Sequence, residues 1–312
     1  MLALVGRRLL TVIPSGLIVT ALLFFSVNGL IGSPAELMLG TDATLEAIAE
    51  LNRQHGFDRP LITQYLEWMG KALTGDFGRS FTTHQTVAEA ILPRLPVTLE
   101  IGIAAIVLAT FAATTFSSVT SARVVVRPMA TGLAIVGITL PNFIIGIGLI
   151  YLFSVELGWL PSIGWAPWRT GIINHLQHVL LPILTLSAYF YGVFTLVYQA
   201  EYDAVRRRLF VRVAKAKGLS ERQVSFRHVL PNSILPVITY VGLSLGQLMG
   251  GAVVTESLFS IPGIGGLLVD SIVARDYPVM MAIGMIVVIT VVVMNTAADI
   301  VYTIVNPQIR LD

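Results

Sequence analysis

The stretch that decides the fold is 177–198, QHVLLPILTLSAYFYGVFTLVY, which carries no Asp, Glu, Lys or Arg. A helix rises about 1.5 Å per residue, so a run of this length crosses a hydrocarbon core of about 30 Å. Lipid offers no hydrogen-bond partner to the backbone, and only a helix satisfies its own N–H and C=O groups there. The stretch therefore predicts a membrane-spanning helix.

The rest of the chain contains five further stretches of this kind, at 9–30, 97–118, 129–153, 235–255 and 279–304. The first follows Arg7 and Arg8, as a signal peptide would. Its apolar run is longer than the 7–15 residues of a signal peptide, and no convincing cleavage site follows, so we interpret it as a retained helix. The predicted fold class is an all-α polytopic membrane protein with six transmembrane helices.

The composition agrees with a membrane protein. Of the 312 residues, 55% are hydrophobic and 12% are charged, against about 25% charged in an average soluble domain. A net charge of +2 gives no reason to expect nucleic acid as a partner. Cysteine is absent, which excludes disulfides, thiol nucleophiles and thiolate metal sites.

Lys and Arg are distributed unequally between the two sides of the predicted spans. With the N-terminus inside, 13 of them fall in cytoplasmic segments and 7 in outer segments, and the 199–231 loop alone holds eight. Positive charge favours the cytoplasmic side. The sequence thus predicts that both termini lie on the cytoplasmic side of the membrane.

The long loop after the first span is too long for a simple turn. Apolar residues recur at helical spacing over Leu45–Arg53 and Ile62–Leu73, which predicts two short helices. We expect residues 1–96 to form a unit of one transmembrane helix and this extracytoplasmic loop. Residues 97–312 would then form a five-helix core.

The sequence lacks the common catalytic signatures: it has no Walker A motif, no H-E-x-x-H, no G-x-S-x-G and no dinucleotide fingerprint. His175 and His178 have the i, i+3 spacing of metal ligands, but no acidic or third imidazole ligand lies nearby in sequence. We interpret them as interfacial polar residues at a helix entrance. No catalytic residue, metal site or cofactor is expected, and the chain is predicted not to be an enzyme.

Ionisable residues inside a membrane are functional by default. The candidates all fall near the ends of spans, which argues against a proton relay: Glu100, Glu156, Glu256 and Asp299. Glycines interrupt the third and fifth spans, at Gly137, Gly146 and Gly148 and again at Gly242, Gly246, Gly250 and Gly251. Small residues serve close helix packing, and a flexible pore-lining helix is compatible with the same pattern.

The cytoplasmic loop is the most informative segment. Residues 201–231 read EYDAVRRRLFVRVAKAKGLSERQVSFRHVLP. Helix-forming residues continue to Lys217, and Gly218 is a natural stop. Ser220 then predicts the cap of a second short helix, with Gln223 at the capping-box position. These signals together predict a helix–turn–helix elbow on the cytoplasmic side of the membrane. An ordinary basic loop would not explain this order of residues.

This elbow resembles the cytoplasmic "EAA" loop of ABC importer permeases, E-A-A-x3-G-x9-I-x-L-P. Ala214, Gly218 and Leu230-Pro231 match it, whereas Arg212, Val213 and His228 depart from it. The departures fit one branch, because AKAKGLSERQVSFRHVLPNSILPVIT is similar to a run in the dipeptide/oligopeptide/nickel permeases. The resemblance extends through GRRLLTVIP, FDRPLITQYLEW, GDFGRS, TLPNF, GWLPSIG, GGAVVTESLFSIPGIGGLLVDSIVARDYP and NPQIR. Within that group the chain is similar to the first permease subunit, which has the long outer loop after its first span.

The resemblance implies a type I importer permease fold and a set of partners. A second permease subunit would complete a heterodimeric pore in the bilayer, two cytoplasmic subunits would bind ATP, and an extracytoplasmic solute-binding protein would deliver the cargo. The elbow would be the coupling helix that sits in a groove of the ATPase. The residues implied are Arg212, Ala214, Lys215, Lys217, Gly218, Leu219, Ser220 and Glu221.

The 257–277 segment would lie at the outer face and, with the 31–96 loop, contact the binding protein or act as a gate. The candidates are Glu256, Pro262, Gly263, Gly265 and Asp276. A surface cover over the pore mouth is the plainer interpretation of both segments.

Two questions stay open at the level of sequence. A stand-alone secondary transporter is the alternative class, although such proteins often show inverted repeats and midplane charges. Di- and oligopeptides are the first expectation for the cargo. Nickel, another metal chelate or another small solute is the second.

Overall fold

A computed structural model describes residues 16–26, 44–120 and 126–305, together with Pro14, Ala35 and Leu39. Within these ranges the chain is helical, with one isolated β-bridge between Arg79 and Thr86. The longer helices are α1 (Gly16–Ser26), α2 (Leu45–His55), α3 (Leu61–Leu73), α4 (Val87–Ile91), α5 (Leu95–Thr120), α6 (Val126–Thr139), α7 (Asn142–Ile150) and α8 (Ile172–Arg206). They continue with α9 (Leu209–Ala216), α10 (Glu221–Val224), α11 (Leu230–Ser233), α12 (Leu235–Phe259), α13 (Ile264–Val273) and α14 (Tyr277–Val305).

Four of the described helices are long and apolar enough to cross a membrane, and a fifth span is formed if a bent pair counts as one. The predicted spans at 97–118, 177–198, 235–255 and 279–304 fall within α5, α8, α12 and α14. The first predicted span, 9–30, is described only in part, as α1. Both helices predicted in the outer loop are confirmed as α2 and α3.

The third predicted span, 129–153, is wrong as a single helix. The axis bends by 111° between Arg127–Thr139 and Asn142–Glu156. The cause is Pro141, which has no N–H to donate and disfavours helical geometry at Leu140 before it. Beyond α7, residues Tyr151–Glu156 widen into a π-helical turn.

The chain divides into two compact units, Met1–Val97 with Pro262–Val292, and Thr98–Ile261 with Val293–Asp312. In the first unit, aromatic side chains of α1 and α3 pack against the start of α14 around Phe24, Tyr277 and Met281. A second apolar cluster joins α4, α13 and α14 around Val87, Ile264 and Ile283. The loop between α3 and α4 is thereby held against helices distant in sequence.

In the second unit α8 is the central helix, with α6, α7 and α12 packed against it. Two glycines permit the closest of these contacts. A Cβ on Gly137 of α6 would lie 2.2 Å from the carbonyl oxygen of Ala188, and one on Gly192 of α8 would lie 2.5 Å from that of Ala134. The backbones of α6 and α8 therefore touch, as small residues allow in membrane helices.

This close approach predicts that Gly137→Ala destabilises the folded chain by about 1–3 kcal/mol, because the new methyl group overlaps a backbone oxygen that cannot rotate away. The matched control is Gly132→Ala on the same helix, where a Cβ meets nothing within 4 Å. The thermal midpoint of the purified protein in detergent should fall only for Gly137→Ala. Equal midpoints for the two variants would contradict the packing.

Candidate functional site

The segment after α8 folds into a hairpin of two short helices, α9 and α10, which we call the hairpin (209–224). Its turn is made by Gly218, whose φ of 83° lies in the left-handed region that glycine adopts without a steric penalty. Ser220 caps α10: its Oγ accepts from the Gln223 N–H at 3.3 Å, and its own N–H donates to Gln223 Oε1 at 2.9 Å. The predicted stop at Gly218 and the predicted capping box are confirmed.

One carboxylate ties the three helices of this region together. Glu221 of α10 accepts from Arg206 at the end of α8 at 2.8 Å, and also from Lys215 of α9. The hydrogen bond from Lys215 and the charge of Arg206 lower the pKa of the Glu221 carboxyl below its ordinary value. Glu221 therefore stays charged at neutral pH and can hold both cations.

Most of the residues implied in coupling lie at the surface of the hairpin. Arg212, Lys217, Gly218, Ser220 and Glu221 are exposed. Lys215 and Leu219 are half-buried, whereas Ala214 is buried against the rest of the hairpin.

Sequence reasoning missed an apolar component of this surface. Leu209, Phe210 and Val213 are 74%, 40% and 45% exposed beside the basic residues. The sequence did carry a signal for this apolar component, namely large apolar side chains within a basic loop. A surface that combines apolar and basic groups suits a protein partner.

The base of the hairpin is joined to two membrane helices by buried hydroxyl groups. Ser225 lies in a π-helical turn, Ser225–Val229, and its Oγ is 2.8 Å from the Tyr202 hydroxyl of α8. The same Oγ donates to the backbone oxygen of Ser118 at 3.3 Å, and Ser118 Oγ is 2.5 Å from the Tyr198 hydroxyl. The base of the hairpin is thus hydrogen-bonded to both α5 and α8.

A further polar seam joins α6 to α8. Arg127 donates to both carboxylate oxygens of Asp203, at 3.0 and 2.6 Å. One turn further along, Thr131 Oγ1 donates to Gln199 Oε1 at 3.0 Å. These bonds and the glycine contacts hold the two helices as one stiff pair.

His175 departs from the interfacial role predicted for it, because its side chain is 0% exposed. Its Nδ1 is 2.7 Å from the Ala166 carbonyl oxygen, and its Nε2 is 2.8 Å from Glu100 Oε1. The imidazole also stacks on Trp168, with ring centroids 3.8 Å apart, and meets the edge of Trp165. His178 is half-buried and bonds to the Asn174 carbonyl, so the two histidines do not share a site.

The geometry of His175 fixes how many protons the pair with Glu100 holds. A carbonyl oxygen only accepts, so Nδ1 carries a proton. The bond between Nε2 and Oε1 then needs one further proton, on the imidazole or on the carboxyl group. One shared proton therefore joins His175 to Glu100, and this pair, which we call the His175 clamp, links α5, α8 and the loop at Ala166. Among the described residues, no group of three His, Cys, Asp or Glu side chains could hold a metal ion.

The clamp predicts that Glu100→Ala lowers the stability by about 1–3 kcal/mol, because His175 Nε2 is left buried without a partner. Glu100→Gln should keep most of it, since an amide N–H can donate to the neutral imidazole. The thermal midpoint of each purified variant measures the loss of stability. His178→Ala is the control and should leave the midpoint unchanged. The clamp is refuted if the Gln variant loses as much stability as the Ala variant.

The residues predicted at the outer face lie in different surroundings. In the second unit, Glu256 is 1% exposed and accepts from Thr98 Oγ1 at 2.6 Å. In the first unit, Pro262 is exposed and Gly263 and Gly265 are buried. Asp276 is buried there and accepts from Ser80 Oγ and from the Phe81 N–H, the latter at 3.1 Å. Both carboxylates are engaged within the chain, and their role in contact or gating stays a prediction.

These features define a class: a multi-pass helical membrane protein whose central helix is followed by an ordered hairpin with basic and apolar groups at its surface. Comparison with known proteins gives the family. The family model described as "Binding-protein-dependent transport system inner membrane component" matches residues 105–311. A second model, described as "Binding-prot-dependent transport system membrane comp, N-term", matches residues 1–102.

Full-length relatives support the same assignment. The chain is 39% identical to the "Glutathione transport system permease protein GsiC" of Shigella flexneri serotype 5b (strain 8401) and to that of Escherichia coli (strain K12), each over 99% of both chains. It is 38% identical to the protein of the same name from Salmonella choleraesuis (strain SC-B67), again over 99% of both chains. This chain belongs to the permease subunits of binding-protein-dependent ABC importers.

Family membership decides between the two classes that the sequence left open. The chain is an ABC importer permease subunit in the inner membrane, rather than an enzyme or a stand-alone secondary transporter. A partner permease, ATP-binding subunits and a solute-binding protein are part of such a system.

Proposed function

We propose that this chain is the first permease subunit of an importer for short peptides, with glutathione among the cargoes to test first. The hairpin (209–224) carries the proposal, because it presents an ordered surface of basic and apolar groups at the end of the central helix. The name of the relatives supports the cargo, since glutathione is itself a tripeptide. A nickel or metal-chelate cargo stays the second expectation from the resemblance.

The proposed topology has six spans with both termini in the cytoplasm. The bent pair of α6 and α7 counts as the third span, and α1 belongs to the first. The excess of Lys and Arg in the proposed inner segments supports this orientation. Residues 1–96 would form the extracytoplasmic part with its anchor, and residues 97–312 the five-helix core.

In the proposed mechanism the hairpin sits in a groove of an ATPase subunit. Arg212, Lys217 and Glu221 would supply charged contacts, and Leu209 and Phe210 would supply apolar ones. Closure of the ATPase dimer would push on the hairpin. The Ser225 contacts and the Arg127–Asp203 pair would pass that push to α5, α6 and α8.

The outer side would receive the binding protein. Segment 31–96 and segment 257–277 supply the exposed surfaces proposed for this contact. The buried carboxylates of Glu256 and Asp276 would stabilise these regions or act in a gate, since neither side chain is free to reach a partner directly.

The coupling role predicts that Gly218→Val reduces transport-linked ATP hydrolysis at least tenfold in the reconstituted complex. A β-branched residue is strained at φ 83°, by about 1–2 kcal/mol or more, which changes the turn of the hairpin. Gly75→Val is the matched control, because Gly75 has φ 84° and, like Gly218, open space around it.

Recovery of the ATPase subunit with the purified permease gives a second measurement. Phe210→Asp should lower that recovery without lowering the thermal midpoint, because Phe210 is largely at the surface. The coupling proposal fails if Gly218→Val and Gly75→Val behave alike and Phe210→Asp retains the ATPase.

The cargo is tested through the cognate solute-binding protein, purified with its bound ligand and analysed by native mass spectrometry. We expect a di-, tri- or oligopeptide, displaced by reduced glutathione or a dipeptide. A tightly bound metal chelate that peptides do not displace would reject the peptide proposal while leaving the coupling mechanism intact.

A further inference from the structure

The first unit contains a cavity of about 430 Å³ between α1, α3, the loop after α3 and the start of α14. Ligand pockets commonly occupy about 300–1,000 Å³. The apolar wall includes Phe24, Trp68, Phe77, Phe81 and Tyr277. We call this space the aromatic cavity. It is large enough for one apolar side chain with a small polar group beside it.

The loop that forms one wall is held in place before any ligand arrives. Asp276, which is buried, accepts hydrogen bonds from Ser80 and from the Phe81 N–H. The loop is closed by hydrogen bonds from the Ser80 N–H to the Gln85 oxygen at 3.0 Å and from the Val87 N–H to the Gly78 oxygen at 3.0 Å. Such preorganisation reduces the entropy lost on binding.

The two carboxylates in the wall each accept a hydrogen bond from within the chain. Glu67 accepts from Arg59 at 2.6 Å, and Asp76 Oδ1 accepts from the Gly78 N–H at 2.9 Å. Arg59 lies outside the wall and balances the charge of Glu67.

Several hydrogen-bond donors in the wall have few or no acceptors among the described residues. Trp68 Nε1 is buried and has no acceptor within the part of the chain that the structure describes. Lys71 forms no ion pair with a described residue, and Arg79 gives one N–H to the His84 carbonyl at 3.2 Å and keeps others. Lys71 and Arg79 thus bring two positive charges to the wall that form no salt bridge with a described residue.

We propose that the aromatic cavity binds a carboxylate that adjoins an aromatic or large apolar group. The apolar body would pack against the ring of Trp68 and its neighbours. The carboxylate would accept from Lys71 and Arg79, and an acceptor on the ligand backbone would satisfy Trp68 Nε1. Either the C-terminal end of a free peptide or a matching surface group of the docked binding protein offers this chemistry. The choice between a free peptide and the binding protein rests on the proposed function, whereas the binding of a carboxylate does not.

The test uses the assembled transporter in nanodiscs of phosphatidylcholine and two probes, N-acetyl-L-phenylalanine and its amide. They share one apolar body and differ in the carboxylate. Saturation-transfer NMR should show the acid binding at least tenfold more tightly than the amide. Glycyl-phenylalanine and its amide repeat the comparison for a free peptide, and displacement of the acid by ligand-free binding protein would assign the source to that protein.

Three variants show whether the probe occupies the aromatic cavity. Lys71→Gln should remove most of the preference for the acid, and Trp68→Phe should weaken both probes about threefold or more while keeping the ring. Arg53→Gln is the control, because Arg53 is an exposed cation of the same unit outside the cavity wall. Lys71 is itself exposed, so its substitution should not affect folding.

Equal binding of the acid and the amide would overturn the proposal, as would an unchanged preference in Lys71→Gln. Loss of the acid signal when phosphatidylglycerol replaces part of the lipid would assign the cavity to a lipid headgroup and would also overturn it. None of these results depends on ATP coupling. A failure here is therefore distinct from a failure of the proposed transport function.

Discussion

Hydrocarbon supplies no hydrogen-bond partner, and the rest of this structure depends on that constraint. Polar groups within the spans therefore need partners other than lipid. Backbone groups meet the requirement through helices. Side chains find partners in other side chains, such as Arg127 with Asp203 and Ser118 with Tyr198. The break at Pro141 is tolerated because α7 and α6 both pack on α8. Specific contacts therefore lie where polar residues interrupt the apolar surface.

Three of these contacts converge on α8. Its first half holds the His175 clamp, its middle touches α6 through Gly192, and its last turns carry Tyr202 and Arg206 beside the hairpin. A helix has no soft backbone joint unless proline or a widened turn supplies one. Pro182 is such a position in α8. The hairpin and the clamp are thus two ends of one element, with Pro182 between them.

Local patterns predicted the elements well because the forces that form them act between near neighbours. The turn at Gly218, the cap at Ser220 and both outer-loop helices follow from residues within four positions of each other. The partners of buried polar groups do not. Glu100 is 75 positions from His175, and Asp276 is 196 from Ser80. The bend at Pro141 was missed because proline either kinks or ends a helix, and neighbouring packing decides which. The exposure of Leu209 and Phe210 likewise depends on tertiary structure.

The length of α8 has a consequence for the direction in which it can move. Its 35 residues extend about 52 Å, against about 30 Å of hydrocarbon. The charge-free apolar stretch at 177–198 nearly equals the hydrocarbon thickness, and Glu201 and Asp203 follow it at once. A piston stroke of one turn, about 5.4 Å, would draw such charges toward the hydrocarbon, where a charge is costly. Tilting keeps both ends in water. The bilayer therefore resists translation of α8 along its own axis more than it resists tilting of the helix.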